Sequence, residues 1–462
     1  MPALAPIKRE LPQVVAKPDI DYELILDCVH CGLCTAACPT YVENGNEADS
    51  PRGRIYLMRQ VIDGALELDE VVKGHLDLCL NCRACETACP SGVQYGKLIE
   101  PFREHMEHLD PGRSTRSLNW IQRWMLFKIF PSRIRTRLAL APARLSQRTG
   151  LDWLMRKSGV LKLLPKSLRT MHGMLPPLKR HYGSLPELLP AIGPRRAKVG
   201  LFLGCVADGL YPQTNYATAK VLQANGCDVW IPKSQGCCGA LHYHSGEEGL
   251  ARKLAAGNCT AFGVGTPKWQ ELDAIITNAA GCGAMLKDYT HLMHAEASAE
   301  EAKQFQAKVK DVSEFLYALG LVKPTHPLKI KATYHDACHL RHAQQIQKQP
   351  RSLLEAIPGL ELVALNETEL CCGAAGSYNL TQPDMATALG DRKADNIRAT
   401  GAVALFTGNV GCLMQIAKHL KATDPGLWCA HPIDALWASY SGELPAELRQ
   451  SMQDDSKGKR SP

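Results

Sequence analysis

Residues 28–39 read CVHCGLCTAACP, and residues 79–90 read CLNCRACETACP. Every cysteine of the first stretch recurs in the second at an offset of 51 residues. Three cysteines at three-residue steps, followed by a fourth cysteine and a proline, form a spacing that holds iron–sulfur clusters. The repetition therefore predicts two cluster-binding loops in one small N-terminal domain.

The spacing is that of bacterial ferredoxins, in which the fourth cysteine of each motif is a ligand of the other motif's cluster. It predicts two [4Fe-4S] clusters with exchanged ligands. The ligands of the first are Cys28, Cys31, Cys34 and Cys89, and those of the second are Cys79, Cys82, Cys85 and Cys38. Zinc is the alternative metal, because CxxC pairs also build tetrahedral zinc sites. A zinc site gives no reason for the third cysteine or the Cys-Pro pair, which favours iron.

The segment between the two motifs contains ADSPRGRIYLMRQVIDGAL at residues 48–66. Ser50 followed by Pro51 is a typical helix start, so a helix is predicted here. Arg52 and Arg54 on this helix either offset the negative charge of the clusters or belong to a plain structural helix.

The composition of the 462-residue chain is that of a globular protein with several domains, at 45% hydrophobic and 21% charged residues. Wholesale disorder is excluded. The 19 cysteines are too sparse for a secreted disulfide scaffold, and the N-terminus lacks the apolar core of a signal peptide. Because no apolar run reaches the ~20 residues that span a bilayer, the prediction is a cytoplasmic protein, or one bound peripherally to the cytoplasmic face of the inner membrane.

A strongly basic segment separates two sets of cysteines. Residues 111–180 carry 16 Lys or Arg and a single acid, Asp152. Alternating apolar and basic residues predict short amphipathic helices broken at Pro131, Pro142 and Pro165. The segment is either a linker with a solvated basic face or a surface for anionic lipid or an acidic partner. Nucleic acid is not expected as a partner, because no nucleic-acid-binding motif accompanies the charge.

A second internal repeat occupies the C-terminal half of the chain. The fragments KVGLFLGCVADG, SQGCCGALHYHSGEEG and IITNAAGCGAML recur as KATYHDACHLRHA, ELCCGAAGSYNL and LFTGNVGCLMQI, at offsets of 133, 134 and 130 residues. Apolar runs alternate with helical stretches in each unit, which predicts α/β units with parallel strands. The cysteines then lie near the carboxyl ends of strands, where open α/β sheets bind ligands.

The four matched cysteines of each unit predict one site of four thiols. The first consists of Cys205, Cys237, Cys238 and Cys282, and the second of Cys338, Cys371, Cys372 and Cys412. These sites bind one or two further iron–sulfur clusters or act as dithiol couples; alternatively, their cysteines are small buried hydrophobes. The alternative ligands nearby are His242, His244, His335, His339 and His342. The remaining cysteines, Cys227, Cys259 and Cys429, are predicted to pack in the apolar interior.

The predicted fold class is therefore α+β and α/β: a mainly helical two-cluster ferredoxin-like domain followed by a duplicated α/β cysteine-rich domain. We place the ferredoxin-type domain at residues 1–110 and a basic amphipathic helical linker at 111–195. The first repeat spans 196–320, the second repeat 321–445, and a polar tail 446–462.

The paired motifs, PRGRIYL, GCCGALHYH and LCCGAAGSYNLTQPD together resemble the iron–sulfur subunit of bacterial glycolate oxidase. The resemblance covers most of the chain and is weakest over residues 111–195. More broadly, the chain is similar to CCG-domain proteins, which include subunits of lactate utilisation systems, anaerobic glycerol-3-phosphate dehydrogenase and heterodisulfide reductase. The resemblance implies a complex in which separate flavin subunits, carrying FAD, oxidise glycolate to glyoxylate. This chain would pass the electrons to quinone or another acceptor without being catalytic alone.

The sequence departs from the family pattern at one point, because complete CCG domains end in CxxC. Ala279 and Met285 lie three positions from Cys282, while Asn409 and Gln415 lie three positions from Cys412. The missing thiols disfavour one alternative function, a catalytic subunit like that of heterodisulfide reductase. The other alternative, an electron-transfer subunit of a lactate or glycerol-3-phosphate dehydrogenase, stays open. No GxGxxG follows a predicted strand and no Walker-type loop occurs, so the chain itself is not expected to bind a nucleotide cofactor.

Overall fold

The computed structural model describes residues 20–113, 117–163, 175–178, 184–421 and 426–445, together with residues 169, 172, 173, 424 and 448. The first 19 residues, Pro165 and all of the predicted polar tail except residue 448 lie outside the described residues. The described chain combines helices with two sheets built mainly from parallel strands, as the sequence predicts.

The N-terminal part, residues 20–113, is helical. Its helices are Glu23–Leu26, Pro39–Asn44, Pro51–Ile62, Glu70–Asp77, Ala84–Thr87 and Gly96–Leu109, with a 3-10 turn at Glu47–Asp49. The predicted helix begins at Pro51, and the Ser50 hydroxyl caps it by accepting a hydrogen bond from the Gly53 amide at 3.0 Å. These helices enclose a small apolar core that includes Ile55, Met58, Leu76, Leu98 and Phe102.

The basic linker folds into short helices, as predicted. They are Trp120–Trp124, Arg133–Ala139, Ala141–Thr149 and Leu151–Lys157, with a π-helical turn at Met125–Ile129 and a 3-10 turn at Val160–Leu163. Pro142 is the second residue of its helix, where the missing amide hydrogen costs nothing, so the break falls just before it. The linker is fixed to the first repeat, because Arg133 and Arg137 each donate to the Asp208 carboxylate at 3.1 Å.

The first repeat contains a five-stranded sheet. Its strands are β1 (Leu188–Leu189), β2 (Ala197–Phe202), β3 (Cys227–Trp230), β4 (Ala274–Thr277) and β5 (Val309–Asp311), in the order β1-β3-β2-β4-β5. All pairings are parallel except that of β1 with β3. Strand β1 lies within the range that the sequence analysis gives to the linker. It joins this sheet because Leu188 and Leu189 pair with the exposed edge of β3.

The second repeat has the same strand order without the extra edge strand. Its strands are β6 (Ile330–Tyr334), β7 (Leu360–Val363), β8 (Ala404–Phe406) and β9 (Trp428–Ala430), in the order β7-β6-β8-β9, and all pairings are parallel. The two sheets share one apolar core to which both repeats contribute, including Val199, Leu201, Ala332, Phe406 and Leu436. The duplication therefore forms one packed body.

Helices connect the strands in both repeats. Those of the first repeat are Val206–Leu210, Pro212–Ala224, Ala240–Tyr243, Glu248–Ala261, Pro267–Gln270, Ala280–Lys287, Tyr289–Leu292, Ala299–Lys308 and Val312–Leu319. Those of the second are Lys348–Glu355, Tyr378–Thr381, Pro383–Ala399, Val410–Leu420 and Pro432–Ser441, with a π-helical turn at His339–Ala343. The CCG loop of the first repeat lies between β3 and helix Ala240–Tyr243, and that of the second lies between β7 and helix Tyr378–Thr381.

Candidate metal centres

Five cysteines from the two N-terminal motifs line one cavity near the surface of the helical domain. Four of them are the predicted ligands Cys28, Cys31, Cys34 and Cys89, and the fifth is Cys85. The same cavity is lined by apolar groups of Val29, Ile55 and Val93, and by Tyr95. Cys31 is exposed, whereas the other three predicted ligands are half-buried. We call this space the first cavity.

A second cavity lies deeper in the same domain. Its thiols are those of Cys38, Cys79, Cys82 and Cys85, and all four cysteines are buried. Cys85, Pro51 and Tyr95 line both cavities, so the two sites are immediate neighbours. Each cavity thus includes the fourth cysteine of the other motif, since Cys89 lines the first and Cys38 lines the second.

The backbone of both motifs adopts left-handed conformations at equivalent positions. His30 and Gly32 have φ of 54° and 84°, and Asn81 and Arg83 have φ of 51° and 58°. Alternation of left- and right-handed residues makes successive amide groups point to one side, which favours an anionic group. In the second motif the Asn81 amide donates to the Cys79 Sγ at 3.3 Å.

A buried arginine lies beside the second cavity. Arg54 is 1% exposed; its Nε donates to the His75 carbonyl at 2.7 Å, and its Nη1 lies 3.9 Å from the Cys38 Sγ. Arg52 lies at the first cavity and donates from Nη1 to the His30 carbonyl at 3.0 Å. Both arginines therefore place positive charge next to the cysteine loops, and each is also paired with a carboxylate, Arg52 with Glu47 at 2.6 Å and Arg54 with Asp49 at 3.7 Å.

The first repeat gathers its four predicted cysteines. The Cys205 thiol donates to the Cys237 Sγ at 3.2 Å, and the Cys238 thiol donates to the Cys282 Sγ at 3.4 Å. The hydrogen bond from Cys205 holds the pKa of the Cys237 thiol well below its usual value. Phe202 belongs to the same apolar cluster and stacks on Phe262.

The second repeat gathers its cysteines beside polar groups. The Cys371 thiol donates to the Cys338 Sγ at 4.0 Å, and the Asn409 side chain donates to the Cys412 Sγ at 3.4 Å. A ring nitrogen of His335 and the thiols of Cys372 and Cys412 all lie within 4.8 Å of one another. Burial lowers the pKa of His335 well below its usual value, so this imidazole is neutral.

The thiol site of the second repeat lies against the second cavity. Leu80 and Cys82 of the helical domain share an apolar cluster with Cys371 and Tyr378, and Cys338 packs against that cluster. The Tyr378 hydroxyl donates to the Leu78 carbonyl at 2.9 Å. Three thiol sites are therefore consecutive neighbours: the first cavity, the second cavity and the site of the second repeat.

Of the five histidines predicted as alternative ligands, three join the repeats to the helical domain instead. His244 Nδ1 lies 2.7 Å from the Glu100 carboxylate, His339 Nε2 lies 3.0 Å from the Asn81 carbonyl, and His342 Nδ1 lies 3.0 Å from the Thr87 hydroxyl. His242 packs edge-on against Phe127. Among the described residues, only His335 belongs to a group of donors with the thiols.

Two further observations concern residues outside the predicted sites. Cys227 and Cys259 are buried in apolar cores and Cys429 is half-buried against one, as predicted. Lys393 was missed: it is 1% exposed, donates to the Glu367 carbonyl, and interacts electrostatically with Cys371 and Cys372. A lysine within a charged helical segment gives no sequence signal of burial, so only packing reveals it.

The fold and its thiol sites define an iron–sulfur protein with a dicluster domain and a duplicated cysteine-rich domain. Three family descriptions match: "4Fe-4S dicluster domain" over residues 25–93, "Glycolate oxidase iron-sulfur subunit, linker region" over 119–175, and "Cysteine-rich domain" over 199–287 and 332–417. The linker match falls on the part of the chain where the sequence resemblance is weakest.

Curated relatives identify the family within this class of iron–sulfur proteins. The chain is 42% identical to the "Probable glycolate oxidase iron-sulfur subunit" of Bacillus subtilis (strain 168), over 88% of this chain and 91% of that protein. It is 35% identical to the glycolate oxidase iron–sulfur subunit of Escherichia coli (strain K12), over 85% and 89%. It is also 32% identical to lactate utilization protein A of Halalkalibacterium halodurans, over 52% and 96%. The chain belongs to the family of glycolate oxidase iron–sulfur subunits.

Helices long and apolar enough to cross a bilayer do not occur among the residues that the structure describes.

Proposed function

We propose that this chain receives electrons from a flavin-containing partner subunit that oxidises glycolate to glyoxylate, and delivers them to quinone or another acceptor. FAD belongs to the partner in this proposal. The observation that carries it is the succession of thiol sites, in which Tyr95 and Cys85 join the two cavities and Cys82 packs with Cys371 of the second repeat. A row of redox sites suits electron conduction rather than bond chemistry.

The residues of the two cavities fit [4Fe-4S] clusters. The two cavities together offer eight thiols, with Cys85 lining both, and the left-handed loops and the buried Arg54 suit a negatively charged group. We assign Cys28, Cys31, Cys34 and Cys89 to one cluster and Cys38, Cys79, Cys82 and Cys85 to the other. Bound clusters would supply one-electron storage and transfer.

The two repeats offer four thiols each, which fits one or two further clusters. We assign Cys205, Cys237, Cys238 and Cys282 to the first site and Cys338, Cys371, Cys372 and Cys412 to the second. The close approach of thiols within each repeat, at 3.2 Å and 3.4 Å in the first, supports ligand sets rather than scattered core cysteines. The domain bounds proposed above leave each ligand set within one domain.

Metal analysis of the anaerobically purified chain tests this assignment. We expect about eight irons with matching sulfide if only the helical domain holds clusters, and about twelve to sixteen if one or both repeats do. Cys82→Ser should remove about four irons, while Cys227→Ala, which changes a buried cysteine outside the sites, should leave the count unchanged. Zinc without sulfide would contradict the electron-transfer proposal.

The dependence on a flavin partner has its own test. The chain alone should not reduce a dye with glycolate, whereas addition of the flavin subunits should restore glycolate-dependent reduction. Robust glycolate oxidation by the isolated chain would overturn the proposal that the flavin partner oxidises glycolate and this chain only transfers electrons.

Lactate is the second candidate substrate of the complex, because lactate utilization protein A matches 52% of this chain. Substrate choice would belong to the flavin partner. Comparison of kcat/KM for glycolate and lactate in the assembled complex decides between them, and a higher value for lactate would replace glycolate in the proposal.

We further propose that the linker contacts the cytoplasmic face of the inner membrane peripherally. Trp120 and Trp153 are 75% and 63% exposed, and Ile134 and Leu138 are 73% and 69% exposed. These apolar groups lie on a segment rich in Lys and Arg, a combination that fits anionic lipid.

Vesicle sedimentation tests the membrane contact. The chain should co-sediment with vesicles containing anionic lipid and lose that binding on combined Trp120→Ala and Trp153→Ala substitution. Substitution of Tyr317, which is exposed on the first repeat, provides the control. Equal binding to neutral vesicles, or none to anionic ones, would refute the contact.

A further inference from the structure

His335 is a buried histidine with one ring nitrogen that lacks a protein partner. It is 0% exposed, and its Nδ1 lies 3.0 Å from the Thr368 carbonyl. Its Nε2 makes no hydrogen bond. A carbonyl oxygen only accepts hydrogen bonds, so Nδ1 carries the proton, and in the neutral ring Nε2 presents its lone pair. Buried polar atoms without a partner are rare and point to an additional group.

The imidazole of His335 lies among thiols. One of its ring nitrogens and the Sγ atoms of Cys372 and Cys412 are all within 4.8 Å of one another, and all three residues are buried. Because Nδ1 is bonded to the Thr368 carbonyl, Nε2 is the nitrogen left for a ligand. An imidazole whose other nitrogen donates to a backbone carbonyl is the usual arrangement of a histidine that binds a metal, because that bond fixes the tautomer and the ring orientation. Nitrogen and thiolate together suit iron–sulfur clusters and zinc.

The first repeat lacks this group. Leu201 pairs with Ile276 in one sheet, and Tyr334 pairs with Phe406 in the other. These pairs are equivalent by the offsets of the duplication, so the next residues, Phe202 and His335, also correspond. In the first repeat this position is thus occupied by the phenyl ring of Phe202, which stacks on Phe262, and in the second by the imidazole of His335.

We propose that His335 is a nitrogen ligand, through Nε2, of a metal centre that Cys372 and Cys412 share in the second repeat. The second repeat then holds a mixed nitrogen–sulfur centre, while the ligands of the first are thiolates alone. This inference rests on the proposed function only in that the thiols of the second repeat bind metal.

The test uses the full chain, purified anaerobically after growth with 15N-labelled histidine. Pulsed EPR of the reduced and oxidised protein should show a histidine nitrogen coupled to one iron–sulfur centre, and the coupling should be absent in His335→Phe. If metal analysis finds zinc in the second repeat, X-ray absorption at the zinc edge should show nitrogen with sulfur in the first shell. His242→Gln is the matched control, because His242 is also buried with an unpartnered ring nitrogen but does not belong to the group that His335 forms with Cys372 and Cys412.

Metal analysis of the same variants covers a centre without an EPR signal. His335→Phe should lose the metal of one site, with at least a tenfold weaker retention against a chelator, and His242→Gln should not. A labelled wild-type protein with no histidine coupling and no zinc–nitrogen scattering, together with unchanged metal content in His335→Phe, would overturn the inference. The signals of the helical domain separate the two proposals: their loss refutes the proposed function, whereas their presence with a sulfur-only second repeat refutes only the role of His335.

Discussion

The two cysteine-rich repeats have the same strand order but different surroundings for their thiols. In the first repeat, Phe202 and the neutral side chain of Asn258 lie near the thiol site, and Asn258 donates to the Cys237 carbonyl at 2.9 Å. In the second, His335 and Lys393 occupy the corresponding positions, and both are buried. Gly239 and Gly373 are equivalent glycines of the two CCG loops, and a Cβ at either would contact an alanine of the next long helix, Ala251 or Ala386. Asn258 and Lys393 each lie seven residues after that alanine, so they occupy equivalent positions.

The repeats also differ in what they contact. The first repeat binds the linker through Asp208 and the helical domain through the ion pair of Asp288 with Arg83, whereas the thiol site of the second packs on Leu80 and Cys82 of the helical domain. A parallel sheet constrains its buried strand residues strongly, because both faces are covered. Residues beyond the strand ends are less constrained, so one scaffold carries two chemically distinct sites. Both repeats contact the ferredoxin-type domain, but among the described residues only the cysteines of the second share an apolar cluster with one of its cysteines.

The largest expected effect comes from removing one thiol in each repeat of the assembled complex. Cys372→Ser should lower glycolate-dependent acceptor reduction about 100-fold or more, since loss of a metal ligand costs at least as much as loss of its supporting partners. Cys238→Ser should lower it less than about tenfold, because its site is not adjacent to the second cavity. Cys227→Ala should retain activity. Equal losses in both repeats would break the comparison and place both sites on the electron route.

Two helix-capping residues, one in each repeat, should contribute to the pH dependence of stability with opposite signs. Asp311 is the last residue of β5 and His431 directly follows β9; each caps the next helix by accepting a hydrogen bond, from the Ser313 amide at 2.7 Å and from the Ile433 amide at 3.1 Å. Burial raises the pKa of Asp311 to about 6 and lowers the pKa of His431 to about 3. Folding therefore favours the protonated form of Asp311 and the neutral form of His431.

The signs follow from proton binding in the two states. Between its unfolded and folded pKa values, Asp311 holds a proton only when folded, so its contribution to stability falls as pH rises from about 4 to about 6. His431 takes a proton only when unfolded, so its contribution is lost as pH falls below about 6.5. Between pH 5 and 7 the contribution to the free energy of unfolding changes by about 1 kcal/mol for Asp311 and by about 2 kcal/mol for His431.

Urea unfolding of the anaerobic protein at pH 5 and 7 measures both contributions. Relative to the parent protein, Asp311→Asn should gain stability on going to pH 7, and His431→Asn should gain it on going to pH 5. Asparagine preserves a capping side chain in both variants. If the relative stability of both variants changes in the same direction between pH 5 and 7, the two residues do not make opposite contributions.

A smaller effect concerns the potential of the second repeat. Lys393→Met removes a buried positive charge near Cys371 and Cys372, so the midpoint potential of a metal centre there should fall by roughly 60 mV, which is one tenfold step for a one-electron couple. Lys393→Arg, which keeps the charge, should shift it less. A redox titration followed by EPR checks this. No shift in Lys393→Met would mean that the charge does not reach the centre.

The smallest effect tests the contact between the second repeat and the helical domain. Tyr378→Phe removes the hydrogen bond to the Leu78 carbonyl and should lower the free energy of unfolding by about 1 kcal/mol. Tyr317→Phe on the first repeat changes an exposed side chain and should have an effect within about 0.5 kcal/mol. Scanning calorimetry compares the two. A change as small in Tyr378→Phe as in Tyr317→Phe would show that this bond does not stabilise the interface.

Much of the fold was predictable because it rests on local patterns. Alternation of apolar runs and helical stretches placed strands such as β2 and β6, and Ser50 with Pro51 marked a helix start. Strand β1 escaped prediction, since two residues that pair antiparallel at a sheet edge carry no periodic signal. The cysteines of the sites were predictable from spacing, but His335 could not be separated from four other histidines nearby.

The sequence by itself determined the class of protein, the duplication and the candidate thiol ligands, because spacing along the chain limits which cysteines reach a common site. Only the tertiary structure decided which repeat lies against Cys82, which histidine aims a free nitrogen at the thiols, and that Lys393 is buried. These properties depend on groups that are distant in sequence and adjacent in space. Burial and proximity arise from the packing of whole domains, and no local pattern encodes them.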